Sequence, residues 1–138
     1  MIDKWTGFYT YEAGYPYEQR SKPFVFYLDW VIDNGIIKGT CVDEESKNLF
    51  TAPAQIEGFI EGNFVSFIKI YPGCWGYDEN NDLMIVENLS VPEIHYSGNY
   101  LENHFEGIWE MTINTLATNG QKYEKNCSGT WLMKRIKK

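Results

Sequence analysis

A chain of 138 residues is long enough for one core of ordinary size; at that length folding buries roughly two-thirds of the unfolded surface without a disulfide or metal staple. The formal charge of −7 argues against a nucleic-acid backbone or an anionic membrane as principal partner, and no apolar run nears the roughly 20 residues of a spanning helix. Ten Tyr, eight Phe and five Trp tilt the composition toward pleated, half-buried strands.

Alternation of apolar and polar residues over seven to ten positions recurs along the chain, broken by Gly, Asn and Asp. It predicts strands near 5–11, 23–32, 36–43, 53–61, 64–71, 92–101, 104–113 and 127–136, with a weaker one at 83–88. No composition shift marks a second domain, so residues 1–138 read as a single unit. Met1-Ile2-Asp3-Lys4-Trp5 leads straight into patterned sequence, so no signal peptide is expected. Cys41, Cys74 and Cys127 form no CxxC or zinc spacing, so free thiols in a reducing, cytoplasmic setting are the expectation.

Asn34-Gly35 suits the positive φ angles of a type I′ turn. A two-residue loop there sets Ile32 opposite Ile37, Trp30 opposite Gly39 and Leu28 opposite Cys41. One face then collects Phe24, Phe26, Leu28, Trp30, Ile32, Ile37, Gly39 and Cys41. The acidic stretches Asp43-Glu44-Glu45 and Asp78-Glu79-Asn80-Asn81-Asp82 invite a calcium reading, but the second lacks the spacing of a calcium loop. No metal or cofactor is expected.

Gly62-Asn63 leaves two registers open. A two-residue turn turns Lys69 and Tyr71 inward, whereas a three-residue loop puts Ser66, Ile68 and Ile70 inside. An inward lysine requires an anionic partner, from a ligand or from the chain itself. The loop Tyr71-Pro72-Gly73-Cys74-Trp75-Gly76-Tyr77 would suit a protein interface if its rings are exposed.

The turn at Glu102-Asn103 separates faces most cleanly, pairing Tyr100 with Phe105, Gly98 with Gly107, Tyr96 with Trp109 and Ile94 with Met111. His95 then faces Glu110 on the outer surface, read as a solvated pair rather than catalytic machinery. No nucleophile set accompanies it, so an enzyme is the least favoured class.

Gly-x-large triplets recur six times, among them Gly107-Ile108-Trp109 and Gly129-Thr130-Trp131. Inner-face glycines permit the sharp strand coiling of a small barrel. The fold predicted is therefore all-β, an antiparallel up-and-down β-barrel of eight to nine strands.

With Trp5-Thr6-Gly7-Phe8-Tyr9 in the first strand and the two G-x-W triplets, the chain resembles the calycin-like barrels: lipocalins, fatty-acid-binding proteins and avidins. In lipocalins a basic residue near the end packs over a first-strand tryptophan, a role that Lys134 or Arg135 would take here. Lipocalins carry G-x-W in the first strand, where this chain has W-x-G-x-Y. The R-x-Y clamp of fatty-acid-binding proteins and the disulfides of secreted lipocalins are absent. Trp5-Thr6-Gly7, Gly14-Tyr15-Pro16 and Lys22-Pro23-Phe24 also resemble the opening of nitrobindin-like haem barrels. Those need an inner histidine, and the registers above put His95 and His104 outside.

The resemblance implies the fold and not the ligand; the aromatic inner face itself would suit a small hydrophobic or aromatic ligand, with Trp30, Tyr96, Tyr100, Trp109 and Trp131 as its contacts. Lys69 and Arg135 would anchor an acidic group on it. The alternative is an acidic module that binds or inhibits a protein, with the same rings simply filling the barrel.

Overall fold

The computed structural model describes residues 2–80, 82–86, 90–116 and 122–136. Among these residues ten strands form: β1 (Asp3–Tyr9), β2 (Phe24–Asp33), β3 (Ile36–Asp43), β4 (Ala54–Glu61), β5 (Phe64–Ile70), β6 (Cys74–Tyr77), β7 (Leu83–Val86), β8 (Ile94–Leu101), β9 (His104–Leu116) and β10 (Lys122–Arg135). Eight of them close a barrel in the order β1-β10-β9-β8-β5-β4-β3-β2, every pair antiparallel. The remaining two, β6 and β7, make a separate hairpin between β5 and β8. Sequence patterning missed β6, because four residues holding a cysteine, a glycine and two rings carry no period. It anticipated β7, although residues 87 and 88 of that prediction lie outside the described residues.

The hairpin registers follow the alternation. Ile32 pairs with Ile37 and Trp30 with Gly39, across a turn where Asn34 and Gly35 both adopt positive φ. Tyr100 pairs with Phe105 and Tyr96 with Trp109 across Glu102-Asn103. The turn at Gly62-Asn63 is the two-residue one: Glu61 pairs with Phe64, Gly58 with Phe67 and Ile56 with Lys69. Lys69 therefore faces in. Ile32, expected on the inner face, is 37% exposed because it lies at the rim beside its turn.

The recurrent glycines have a more specific cause than strand coiling. Gly129 lies opposite Trp109, Gly107 opposite Trp131, Gly39 opposite Trp30 and Gly58 opposite Phe67. Each of these four rings thus meets a residue without a side chain, alternating large and small across the barrel. A Cβ at Gly129 would come within 2.4 Å of the Trp109 indole nitrogen, and one at Gly98 within 2.9 Å of the Trp131 ring. The room so made lets the Trp131 N–H donate to the carbonyls of Ser97 (3.2 Å) and Ile108 (3.1 Å), and the Trp109 N–H to Thr10 (2.9 Å).

The two ends of the barrel differ. One carries the three tight turns and the Trp5, Trp30 and Phe105 rings, packed with centroids 5.2–5.8 Å apart. The Arg135 guanidinium lies 5.3 Å from the Trp5 ring there, the arrangement that the resemblance to lipocalins implied. The other end carries the long connections 10–23, 44–53 and 71–93, and with them the candidate site.

Candidate functional site at the loop end

The inner parity of β3 runs Ile37, Gly39, Cys41 and then Asp43, so the strand's last residue points into the barrel mouth. From the neighbouring wall β5 sends Lys69 to the same place, and the two meet at 3.3 Å with Lys69 only 1% exposed. The anionic partner that an inward lysine requires is thus an aspartate of the chain itself. Asp43 is further fixed by the Ser46 N–H and hydroxyl at 2.7 Å each, and by the Tyr71 phenol at 2.5 Å.

The connection after β3 turns back over the mouth and carries Glu45 in beside this pair, 8% exposed. Three phenols donate to its carboxylate: Tyr9 at 2.6 Å, Tyr11, and Tyr77 from β6. The stretch Asp43-Glu44-Glu45 is therefore not an open acidic loop, since two of its three carboxylates are inside and hydrogen-bonded. Among the described residues no group of three or more His, Cys, Asp and Glu converges as a metal site would require. In the second acidic loop, Asp78 accepts the N–H groups of Asn80 and Asp82 and so closes its own turn.

The electrostatics follow from burial and pairing. Desolvation pushes the Asp43 carboxyl up, but Lys69, Tyr71 and Ser46 outweigh it, and its pKa falls below the ordinary 3.8. Glu45 moves the other way: desolvation exceeds the help of Tyr11, Tyr77 and Tyr9, so its pKa rises above 4.5. Burial opposes the Lys69 charge too, yet Cys41, Tyr71, Tyr96 and Asp43 around it raise its pKa and hold the ammonium protonated. Burial lifts the Tyr96 phenol to about 12.

Above the network stands a collar of half-exposed rings. Tyr11 and Tyr15 approach to 4.4 Å between centroids, Trp75 lies 5.5 Å from Tyr71 and 6.3 Å from Tyr77, and Phe50 stacks on Tyr71 at 6.3 Å. The rings of the 71–77 segment are thus engaged with the mouth, with Tyr77 40% exposed. A cleft of about 280 Å³ opens beside Asp43, Ser46, Phe50 and Tyr71. A larger one, about 670 Å³, lies at the rim between β8, β9 and β10, lined by Glu93, His95, Glu110, Met111, Asn126 and Ser128 among others. The predicted His95–Glu110 pairing holds, with His95 exposed and 3.8 Å from Glu93.

The seven residues predicted to line a cavity do not converge on one. Lys69 is in the network, Tyr96 is 5.9 Å from its ammonium, and Trp109 touches the collar through Tyr11 at 5.8 Å. Trp131 packs on Tyr96 and Phe67 in mid-barrel. Trp30 and Tyr100 pack on Phe105 toward the opposite end, and Arg135 lies outside that end, 3.6 Å from Asp3. Lys69 and Arg135 are therefore not a joint anchor. Sequence reasoning took Asp43 and Glu45 for an acidic loop and Tyr77 for part of an interface loop, and it passed over Tyr9 and Tyr11 as site residues; the readable signal was Asp43 continuing the inner parity of its strand.

The fold is a closed, eight-stranded antiparallel barrel, the architecture that the resemblance to calycin-like barrels implied. No family model matches the chain, and no curated protein matches it in sequence. Among solved structures it is similar to rhizavidin, with a TM-score of 0.53 and 12% identity over 100% of this chain and 84% of that one. A rhizavidin–biotin complex gives a TM-score of 0.50 and 12% identity over 100% and 94%. At that identity the likeness bears on the fold alone.

Proposed function

We propose that this barrel binds a small, flat or apolar molecule at its loop end, where the ligand rests against the aromatic collar. The observation that carries the reading is the contrast between ends: rings half open to solvent surround a buried ionisable network at one, while the other is closed by tight turns and packed indoles. One structural neighbour is a complex of rhizavidin with biotin, which supports a binding role for a barrel of this shape. An acidic group on the ligand has less support, because Lys69 is already matched by Asp43.

The test is a thermal-shift screen of the whole chain against aromatic and heterocyclic small molecules. A binder of the native state raises the melting temperature by an amount that grows with its concentration. A concentration-dependent rise reversed by Trp75→Ala supports the reading, and a rise unaffected by collar substitutions contradicts it.

A second reading is the acidic protein-interaction module. It is favoured by the rings along the barrel axis, which pack on one another from Trp5 through Phe67 to Trp131. A screen without any binder, together with capture of a defined basic partner, would move the assignment there.

A further inference from the structure

We propose that the ligand of the loop end carries a protonated amine, seated over the collar rings of Tyr11, Tyr15, Trp75 and Tyr77. The inference rests on the binding reading above and names the chemistry of that site.

The first support is a count of hydrogen-bonding capacity. Each phenol has one proton, and those of Tyr9, Tyr11 and Tyr77 go to Glu45 while that of Tyr71 goes to Asp43. The Ser46 hydroxyl and N–H and the Lys69 ammonium also bond Asp43. What these four phenols and two carboxylates offer an arriving molecule is therefore lone pairs and ring faces. A carboxylate or carbonyl can use neither; an ammonium can use both.

The second support is charge. Lys69 and Asp43 cancel, whereas Glu45 is met by three neutral phenols and, among the described residues, by no cation. A whole-chain charge of −7 draws cations toward the surface at long range.

The third is that the chain already sets ammonium groups on tyrosine rings at this end, one of them a ring of the proposed seat. Lys69 lies 4.6 Å from the centre of the Tyr71 ring and 5.2 Å from that of Tyr9, below the collar. From the other side, exposed Lys125 reaches within 5.8 Å of the Tyr15 ring. The Tyr15 face thus takes an ammonium, and because Lys125 is exposed a ligand ammonium can compete with it there.

The experiment compares three probes of one shape on the full chain at pH 7: 2-phenylethylammonium, 2-phenylethanol and 3-phenylpropionate, followed by calorimetry and tryptophan fluorescence. The amine should bind about 10-fold or more tighter than the alcohol, as a charge-assisted contact allows, with the acid weakest. Glu45→Gln keeps an acceptor oxygen for the phenols; it should weaken the amine about 10-fold and the alcohol by much less. If that variant does not fold, salt decides on the native chain: amine affinity should fall between low salt and roughly 0.5 M, and alcohol affinity should not. Alcohol or acid binding as tightly as the amine would overturn the amine assignment and leave the binding reading standing. No saturable response to any of the three would also overturn it, while the binding reading is judged by the wider screen.

Discussion

The hairpin end and the loop end are built on the same eight strands with the same inward parity, yet they solve opposite problems. At the hairpin end the connections are two residues long, so nothing can reach across the barrel axis and the inner wall must seal itself. It does so with rings, and among the described residues the Trp5 and Trp30 indole N–H groups have no hydrogen-bond acceptor. At the loop end the connections are long enough to fold back. They bring Ser46 and Tyr71 to Asp43, which the strands already aim inward with Lys69, and they gather Tyr11 and Tyr77 on Glu45 beside that pair. Connection length, more than the strands, decides which end of a small barrel becomes an apolar plug and which holds buried charge.

The largest effect that separates the ends should come from Lys69→Met. Removing the ammonium leaves the Asp43 carboxylate buried without its cation, a loss of about 3–5 kcal/mol for a broken buried pair. Urea denaturation measures it, and a loss under about 1 kcal/mol would mean that Asp43 is hydrated at the mouth. The double variant Lys69→Met, Asp43→Leu should recover much of the stability, since an apolar pair of similar bulk avoids the desolvation penalty.

A smaller contrast lies between two tryptophans. Trp109→Phe loses the bond to the Thr10 carbonyl and leaves that buried acceptor short of a partner, adding about 1–3 kcal/mol to the packing loss. Trp30→Phe breaks no such bond, so it should cost only its lost packing. Equal losses in denaturant melts would mean that the Trp30 N–H has a partner after all.

The smallest expected effect is in the pH profile, where the two carboxylates have opposite signs. Asp43, with its folded pKa below 3.8, contributes stability that is fully present above 3.8 and is lost as pH falls through the lower folded value. Glu45, with its folded pKa above 4.5, binds its proton more readily folded than unfolded, so stability declines as pH rises from 4.5 through that raised value. Glu45→Gln should abolish the decline above pH 4.5 and keep the acid limb that Asp43 sets. A profile unchanged by the substitution would contradict this assignment of the carboxylates.

Much of this barrel was legible in the sequence. Alternation fixed the registers at Asn34-Gly35 and Glu102-Asn103, because a slip by one would have turned Trp30 and Trp109 outward. The Gly-x-Trp triplets announced close packing, although the reason they serve is room for an indole across the strand rather than strand curvature. Lys69 stayed ambiguous, because Gly62-Asn63 admits two loop lengths that reverse every residue after it. The site was the least legible part. Glu45 and Tyr77 reach the mouth through connections without a period, and Asp43 was masked by two neighbouring glutamates that made an inward residue look like part of a solvated loop.

The most direct test of a ligand-binding loop end uses the five tryptophans as reporters, one half-exposed in the collar and four buried along the barrel. In a two-dimensional ¹H–¹⁵N spectrum each indole N–H gives one signal, assigned by substituting the tryptophans in turn. Titration with a molecule that raises the melting temperature should shift the Trp75 signal most and that of Trp109 less. Those of Trp5 and Trp30 should stay where they are. Movement of Trp5 and Trp30 with Trp75 unchanged would put the ligand at the hairpin end and contradict the account.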